Sequence, residues 1–358
     1  MKSEVFDLYC DYLLSSFGQT TATGLSALTD GQLSHDAITR MLSSQALTSK
    51  DYWRMVKPLV RQIESPDGVL IVDDSIEAKP HTDENDIICW HYDHVSGKNI
   101  KGINFISALY ESGLVALVID FRLVSKTEQT LDKATGKIKR RSPISKNEHF
   151  RNMVEQATIN TLKFKYVLSD VWFASSENIS FIKKKLQKDI IMPCKVNRRV
   201  ALSYKDKHNG QYVSVETLCL EAATVREIYL EHVDFPLLLT RQVFTNEDGS
   251  QGSLYLISSD TTLTYDQITT TYKRRWRVEV YHKSLKQNAS LAQSPTQTIT
   301  TQTNHFVAAL CAYCKLEMMR VSSKLNHTAL KMKLYISATQ TAFKQLRHLN
   351  VVKFLPTA

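Results

Sequence analysis

Two aspartates and one glutamate are the residues of this chain whose types and places could do chemistry. Asp74 closes the apolar run GVLIVDD at residues 68–74, and Asp170 closes FKYVLSD at 164–170. Each run reads as a short buried strand, and in open sheets functional groups gather at strand ends. A carboxylate in such a place is costly unless its charge is compensated, and a bound divalent cation is the usual compensation. The plain alternative is that both strands lead into solvent, where aspartate is common. Asp73 adds an ambiguity, because on a continuing strand it and Asp74 point to opposite faces. The third acid, Glu279, stands in TYKRRWRVEVYHKSLK (271–286) among Lys273, Arg274, Arg275 and Arg277. It is either a surface counter-ion or it faces something more strongly charged than its neighbours.

Helical periodicity organises that segment. At about 100° per residue, Tyr272, Arg275, Trp276, Glu279, Lys283 and Lys286 fall within an arc of about 100°. Val278, Tyr281 and Leu285 fall on the opposite side, where they can pack on a sheet. An ordinary solvated face would explain the charges through Arg275–Glu279 and Glu279–Lys283 pairs, worth a few tenths of a kcal/mol each. It would not explain Trp276.

The spacing Tyr272-x2-Arg275-x3-Glu279-x6-Lys286 resembles the YREK signature of bacterial insertion-sequence transposases of the DDE, RNase H-like class. DDS at 73–75 resembles the family's first-aspartate motif, in which the acid precedes Ser or Thr, and this selects Asp74. SDVWF at 169–173 resembles the second, in which an aromatic residue follows the acid by three. The resemblance covers about residues 68–290. It implies an α/β fold: an RNase H-like mixed sheet flanked by helices, interrupted by a β-rich insertion, with helical N- and C-terminal regions. It implies that Asp74, Asp170 and Glu279 are the catalytic carboxylates and ligands of two Mg²⁺ ions, with Mn²⁺ as a substitute. Tyr272, Arg275 and Lys286 would contact phosphates at the DNA end, with Lys283 on the same DNA-binding face. Trp276 would hold a base flipped out of a hairpinned end, where stacking of about 1–3 kcal/mol helps offset unstacking. The implied activity is cut-and-paste transposition by a homodimer in a synaptic complex with terminal inverted repeats and target DNA. Two rivals are a DNA-binding regulator descended from a transposase and an RNase H-like nuclease or resolvase.

The elements that must position these residues follow from pattern. Residues 1–65 read as helices, one capped by Ser34 and one starting at Ser49. They form either a DNA-end-binding region, with Arg40 on its reading helix, or a helical cap. Residues 66–195 read as the first part of the catalytic domain, including a hairpin of INFISALYES and LVALVIDFRLV turning at Gly113. A basic loop at 133–146 carries Lys139, Arg140 and Arg141, and CKVNRRVALSYKDK carries Arg198 and Arg199. Both are candidate phosphate contacts. Residues 196–262 read as the β-rich insertion, 263–290 as the catalytic-domain helix with Glu279, and 291–358 as a helical region of dimer-forming or structural role.

Composition is consistent with this. The net charge is +9 and the pI about 9.1, which favours an acidic partner such as nucleic acid. The longest apolar stretch, HFVAALCAYCKLEMM, is interrupted by Lys315 and Glu317, too short and too charged to span a membrane. Acidic residues stand where a signal peptide would be basic, so a cytoplasmic location is expected. Cys311 and Cys314 form a C-x-x-C within a helical apolar pattern and read as buried thiols. CWHYDH (89–94) resembles a zinc cluster in composition only. It reads as a loop bordering the site, with His94 near substrate and Trp172 a core ring.

Overall fold

The structure is a computed structural model and describes residues 2–93, 96–131, 136 and 138–349. In chain order the helices are α1 (Lys2–Ser15), α2 (Ala22–Leu28), α3 (His35–Ser43) and α4 (Ser49–Ile63). Then come α5 (Lys146–Ile159), α6 (Ser176–Ser180), α7 (Tyr204–His208), α8 (Tyr265–Lys273) and α9 (Arg277–Gln287). Two longer helices follow, α10 (Ile299–Ser323) and α11 (His327–Leu349). The strands are β1 (Val69–Ala78), β2 (Ile88–Asp93), β3 (Lys98–Ser112), β4 (Val115–Leu123), β5 (Glu128–Leu131) and β6 (Ile138–Arg141). They continue with β7 (Tyr166–Ser169), β8 (Asp189–Pro193), β9 (Arg199–Ala201), β10 (Val213–Ser214), β11 (Val225–Leu230), β12 (Leu237–Thr245) and β13 (Gln251–Ser258). The chain divides into two compact units, one made of Thr48–His282 and the other of the residues before and after it.

The larger unit is built on one mixed sheet of eleven strands, ordered β10-β9-β11-β12-β13-β8-β7-β1-β3-β2, with β4 also paired to β3. At its centre β1, β7 and β8 run parallel to one another. Parallel strands are covered on both faces, which is why Val69–Val72 and Tyr166–Leu168 are apolar runs and buried. Helix α4 packs on β4, and the Tyr52 hydroxyl donates to the Val118 carbonyl at 2.8 Å.

Several expectations change in detail. The strand carrying Asp73 and Asp74 does not stop there, because β3 pairs with it antiparallel from Val69 to Ala78. CWHYDH forms strand β2 rather than a loop, and His94 lies outside the described residues. The β-rich stretch of 196–262 joins the main sheet: β13 pairs with β8 and continues it outward. Lys139, Arg140 and Arg141 sit on β6 of a separate two-stranded ribbon with β5, not on a loop. Lys133 and Lys137 are outside the described residues. The hairpin of β3 and β4 turns at Gly113 as expected, with φ +59.

In the other unit α10 packs against α1 and α3. Asn304, buried on α10, ties down the segment after α3: its amide donates to the Leu42 carbonyl at 2.9 Å and its oxygen accepts from the Leu47 N–H at 2.8 Å. Ser34 caps α3 as expected, accepting from the Ala37 N–H. Cys10 and Cys314 are buried. No helix among the described residues is long and apolar enough to cross a membrane.

The β1–β3 register depends on a close backbone approach at Gly102, which lies opposite Ala78. A Cβ there would overlap the Glu77 carbonyl oxygen and come within 2.9 Å of its carbon and 3.0 Å of the Ala78 Cα. All three are backbone atoms and cannot rotate away. Gly102→Ala is therefore expected to cost about 1–3 kcal/mol, the range for overpacking. Urea denaturation measures this, and an unchanged midpoint would contradict it.

Candidate active site

The ladder between β1 and β7 pairs Val69 with Tyr166 and ends at Val72 with Ser169. Asp73 and Asp170 occupy the next rung, so their side chains leave the same sheet face from neighbouring strands. Opposite Asp73 on β3 is Ser107, whose hydroxyl lies 2.9 Å from the Tyr281 hydroxyl of α9. Helix α9 therefore covers the face on which Asp73 points. Glu279 lies on that helix, and one guanidinium joins the two acids. Arg275 Nη1 is 3.3 Å from Asp73 Oδ2, and Nη2 is 3.3 Å from Glu279 Oε1.

Asp74 takes the other face. Its Oδ2 accepts from Lys146 Nζ at 2.6 Å and from Asn104 Nδ2 at 3.1 Å. The acid brought beside Asp170 and onto the side of Glu279 is thus Asp73, whereas the motif comparison selects Asp74. The reason is strand parity: once β1 continues past both acids, only one of them can face α9.

The segment carrying Glu279 is not one continuous helix. Thr264 caps α8 in a box with Gln267, and α8 ends at Lys273. Arg274–Trp276 form a 3₁₀ turn before α9 begins. A 3₁₀ turn advances about 120° per residue, so the side chains around it depart from a single helical arc. Tyr272 turns inward, its hydroxyl donating to the Ser169 carbonyl at 3.3 Å, with the Arg275 guanidinium 6.0 Å from its ring. Trp276 turns outward and is 65% exposed. Beside it is a cleft of about 910 Å³, lined by Lys273, Arg275, Trp276 and Arg277, with Gln242 of β12 and Leu254 of β13. Val278, Tyr281 and Leu285 are fully buried, as their periodicity predicts.

The turn is anchored by a residue that sequence reasoning passed over. Arg274 pairs with the buried Glu111 and donates to the carbonyls of Asp67 at 3.0 Å and Glu111 at 3.2 Å. Nothing local in the sequence marks that partner.

The site carries excess negative charge. Burial, then Asp170, pushes the Asp73 carboxyl up to about 8; Arg275 opposes this, and Asp74 and Glu279 add to it. Burial and the charge of Asp74 also raise Asp170, against N–H bonds from Phe173 and Trp172. Burial raises the Tyr272 phenol. Among the described residues no three His, Cys, Asp or Glu side chains converge closely enough to enclose a metal ion. Yet Asp73, Asp170 and Glu279 are hard oxygen donors of the kind Mg²⁺ takes. A desolvated carboxyl raised by its acidic neighbours is also what an added cation would relieve. The donor set fits such an ion, with Arg275 now between two of its members.

The remaining candidates are dispersed. Trp172 is not a core ring: it is 48% exposed beside Asp170, with Lys195 Nζ 5.9 Å from its ring. Phe173 is the core ring, stacked on Phe150 at 5.0 Å. Arg198 braces the segment after Asp170 by donating to the Ala174 carbonyl and the Ser176 hydroxyl. Arg199 pairs with Glu231 at 3.0 Å, and Arg140 with Asp86 at 3.2 Å. Lys139 and Arg141 are exposed on β6. Arg40 is exposed on α3, in the other unit. Lys283, exposed, and Lys286, half-buried, lie on the part of α9 that belongs to that unit.

Two family models match the chain, each over more than half its length. One, described as DDE superfamily endonuclease, matches residues 2–211. The other, described as Transposase DDE domain, matches residues 112–315. Comparison with individual curated proteins gives no match.

The raised Asp73 carboxyl has a consequence for stability. Its folded pKa lies above the unfolded value, so the unfolded chain releases this proton near pH 4 and the folded chain only near pH 8. Stability is lost as pH rises through that window and stays lower above it. In metal-free buffer at pH 8.5, Asp73→Asn is expected to melt a few degrees above wild type, with the gap closing towards pH 4. Thermal melts across pH check this, and a mutant that melts below wild type at pH 8.5 would overturn it.

Proposed function

The chain belongs to the DDE superfamily of endonucleases and transposases, and from that premise we propose that it is the transposase of a bacterial insertion sequence. In this reading it binds the terminal inverted repeats of its element as a synaptic homodimer, cleaves them through hairpin ends and joins them to target DNA. The observation that carries the reading is the meeting of Asp73, Asp170 and the Glu279 helix at one sheet face, next to a basic cleft with an exposed tryptophan.

Asp73, Asp170 and Glu279 would hold two Mg²⁺ ions, or Mn²⁺ in their place. When bound, such ions polarise the attacked phosphate and activate the attacking water or 3′-hydroxyl. Glu279 faces this charge, which accounts for an acid among so many bases. Arg275 neutralises phosphate oxygens next to the cut, and its planar fork suits that task better than a lysine would. Tyr272 keeps the end of β7 in place through Ser169 and backs the guanidinium with its ring. Trp276 stacks on an extruded base in the cleft, while Lys273 and Arg277 hold the flanking phosphates. Asp74, paired with Lys146 and Asn104 on the opposite face, steadies the strand that carries Asp73. Lys283, Lys286 and Arg40, in the other unit, would supply further DNA contacts, Arg40 in the region that reads the repeats.

Excision in cells, with the DNA that flanks this gene as donor, tests both the activity and the assignment. Wild type is expected to excise, and Asp73→Asn and Glu279→Gln to lose excision entirely. Asp74→Asn is expected to lose about 10–100-fold, the scale for a group acting through its neighbours. Full excision by Asp73→Asn with none by Asp74→Asn would return the first acid to Asp74. A wild type that binds the ends yet never cuts them in Mg²⁺ or Mn²⁺ would make the protein a DNA-binding regulator.

A further inference from the structure

We propose that Arg275 is a resident counter-ion which clasps Asp73 and Glu279 until a DNA phosphate draws it away, so that divalent-metal binding and DNA binding at this site depend on each other. This rests on the reading of Asp73, Asp170 and Glu279 as metal ligands. Arg275 spends its two terminal nitrogens on two different acids, at 3.3 Å each. A cation shared by those acids and the guanidinium cannot have the same oxygens. At Asp73 Oδ2 and Glu279 Oε1 one must displace the other, and Asp73 Oδ1 is already taken by the Asp74 N–H.

The geometry also says which way Arg275 can go. Its neighbour Arg274 is fixed by Glu111 and two backbone carbonyls, so the 3₁₀ turn itself stays anchored. The guanidinium contacts of Arg275 are of a weaker kind. Both are longer than the 2.7–2.9 Å typical of charge-assisted bonds, and its third neighbour is the Tyr272 ring. Its side chain already lines the basic cleft beside Trp276, and this is the side towards which the fork can turn. A phosphate lying there offers the planar fork a two-point partner in exchange for two long contacts. Lys146 cannot substitute as the counter-charge, since it is held by Asp74 on the other sheet face.

Such exchange makes the two ligands cooperative. DNA that removes Arg275 opens the carboxylates to metal, and metal that fills them releases Arg275 to DNA. The factor by which each helps the other must be the same, because linkage is reciprocal, and couplings of this kind amount to about 5–150-fold. The purpose is economy of damage: without its DNA end, the enzyme holds a closed and metal-poor site.

The test is Mn²⁺ binding to the full-length protein, followed by electron paramagnetic resonance. It is run with and without a duplex carrying the DNA that flanks this gene, with the duplex's own Mn²⁺ uptake subtracted. Wild type is expected to bind Mn²⁺ about tenfold more tightly when the duplex is present. Arg275→Ala is expected to bind Mn²⁺ about tenfold more tightly than wild type without DNA, and to gain little more when it is added. Arg275→Lys, which keeps the charge but cannot reach both acids with a fork, is expected between the two and serves if the alanine variant fails to fold. Arg275→Ala or Arg275→Lys with wild-type or weaker Mn²⁺ affinity in the absence of DNA would overturn the clasp. So would an undiminished duplex effect in either variant. Glu279→Gln separates the two levels of the argument. If it binds Mn²⁺ as wild type does, the metal-ligand reading itself fails; if it loses Mn²⁺ while Arg275→Ala shows no gain, only the clasp fails.

Discussion

Parallel pairing of β1 with β7 governs where charge can stand in this fold. Both strands lie in the middle of an eleven-stranded sheet and are buried along their paired length. No ionised group is tolerated inside that stretch without a partner. The first place where carboxylates can emerge is the rung beyond the ladder, and Asp73 and Asp170 both stand there. Their crowding follows directly, as does the need for positive charge around them. Arg275 supplies it in the protein alone, and the reaction would demand more.

The second constraint is a change of helical pitch. Helix α9 has to bury Val278 and Tyr281 against the sheet while Trp276, two residues before Val278, reaches outward. A regular helix already sets positions two apart about 200° from each other; the residue the 3₁₀ turn redirects is Tyr272, just before it, which turns inward to the Ser169 carbonyl. The turn's anchor, the Arg274–Glu111 pair, ties it to β3 and so to the strand against which β1 is registered. The pair thus adds to the Tyr281–Ser107 and Tyr272–Ser169 contacts that hold site and sheet in line. Breaking one partner of such a pair costs more than the pair contributes, because the other charge is left uncompensated.

Much of this arrangement was legible in the residues, and what was not has a common cause. Local signals held. The Ser34 cap, the turn at Gly113, the strand that stops just before Asp170 and the buried face of Val278, Tyr281 and Leu285 each depend on neighbours within a few residues. Features set by distant partners leave no such local mark. The face on which Asp73 points is decided by pairing with β3 and β7, not by the residues around it. The break at Arg274–Trp276 interrupts a segment with no Gly or Pro, and the residue that anchors it is Glu111, 163 positions away. That the strands of 196–262 join the main sheet is set by the pairing of β13 with β8 and does not show in their ordinary alternation. A motif comparison inherits these limits, since it counts spacing along the chain and has no access to parity.

The extension of the sheet by β9–β13 changes what kind of part that region is. Because β13 pairs with β8, the insert closes an edge whose residues Ile190, Ile191 and Met192 are completely buried. Without it, β8 would present a flat apolar strand with open N–H and C=O groups, a template for pairing with other chains. The segment acts as a seal, and its removal would be felt first as insolubility.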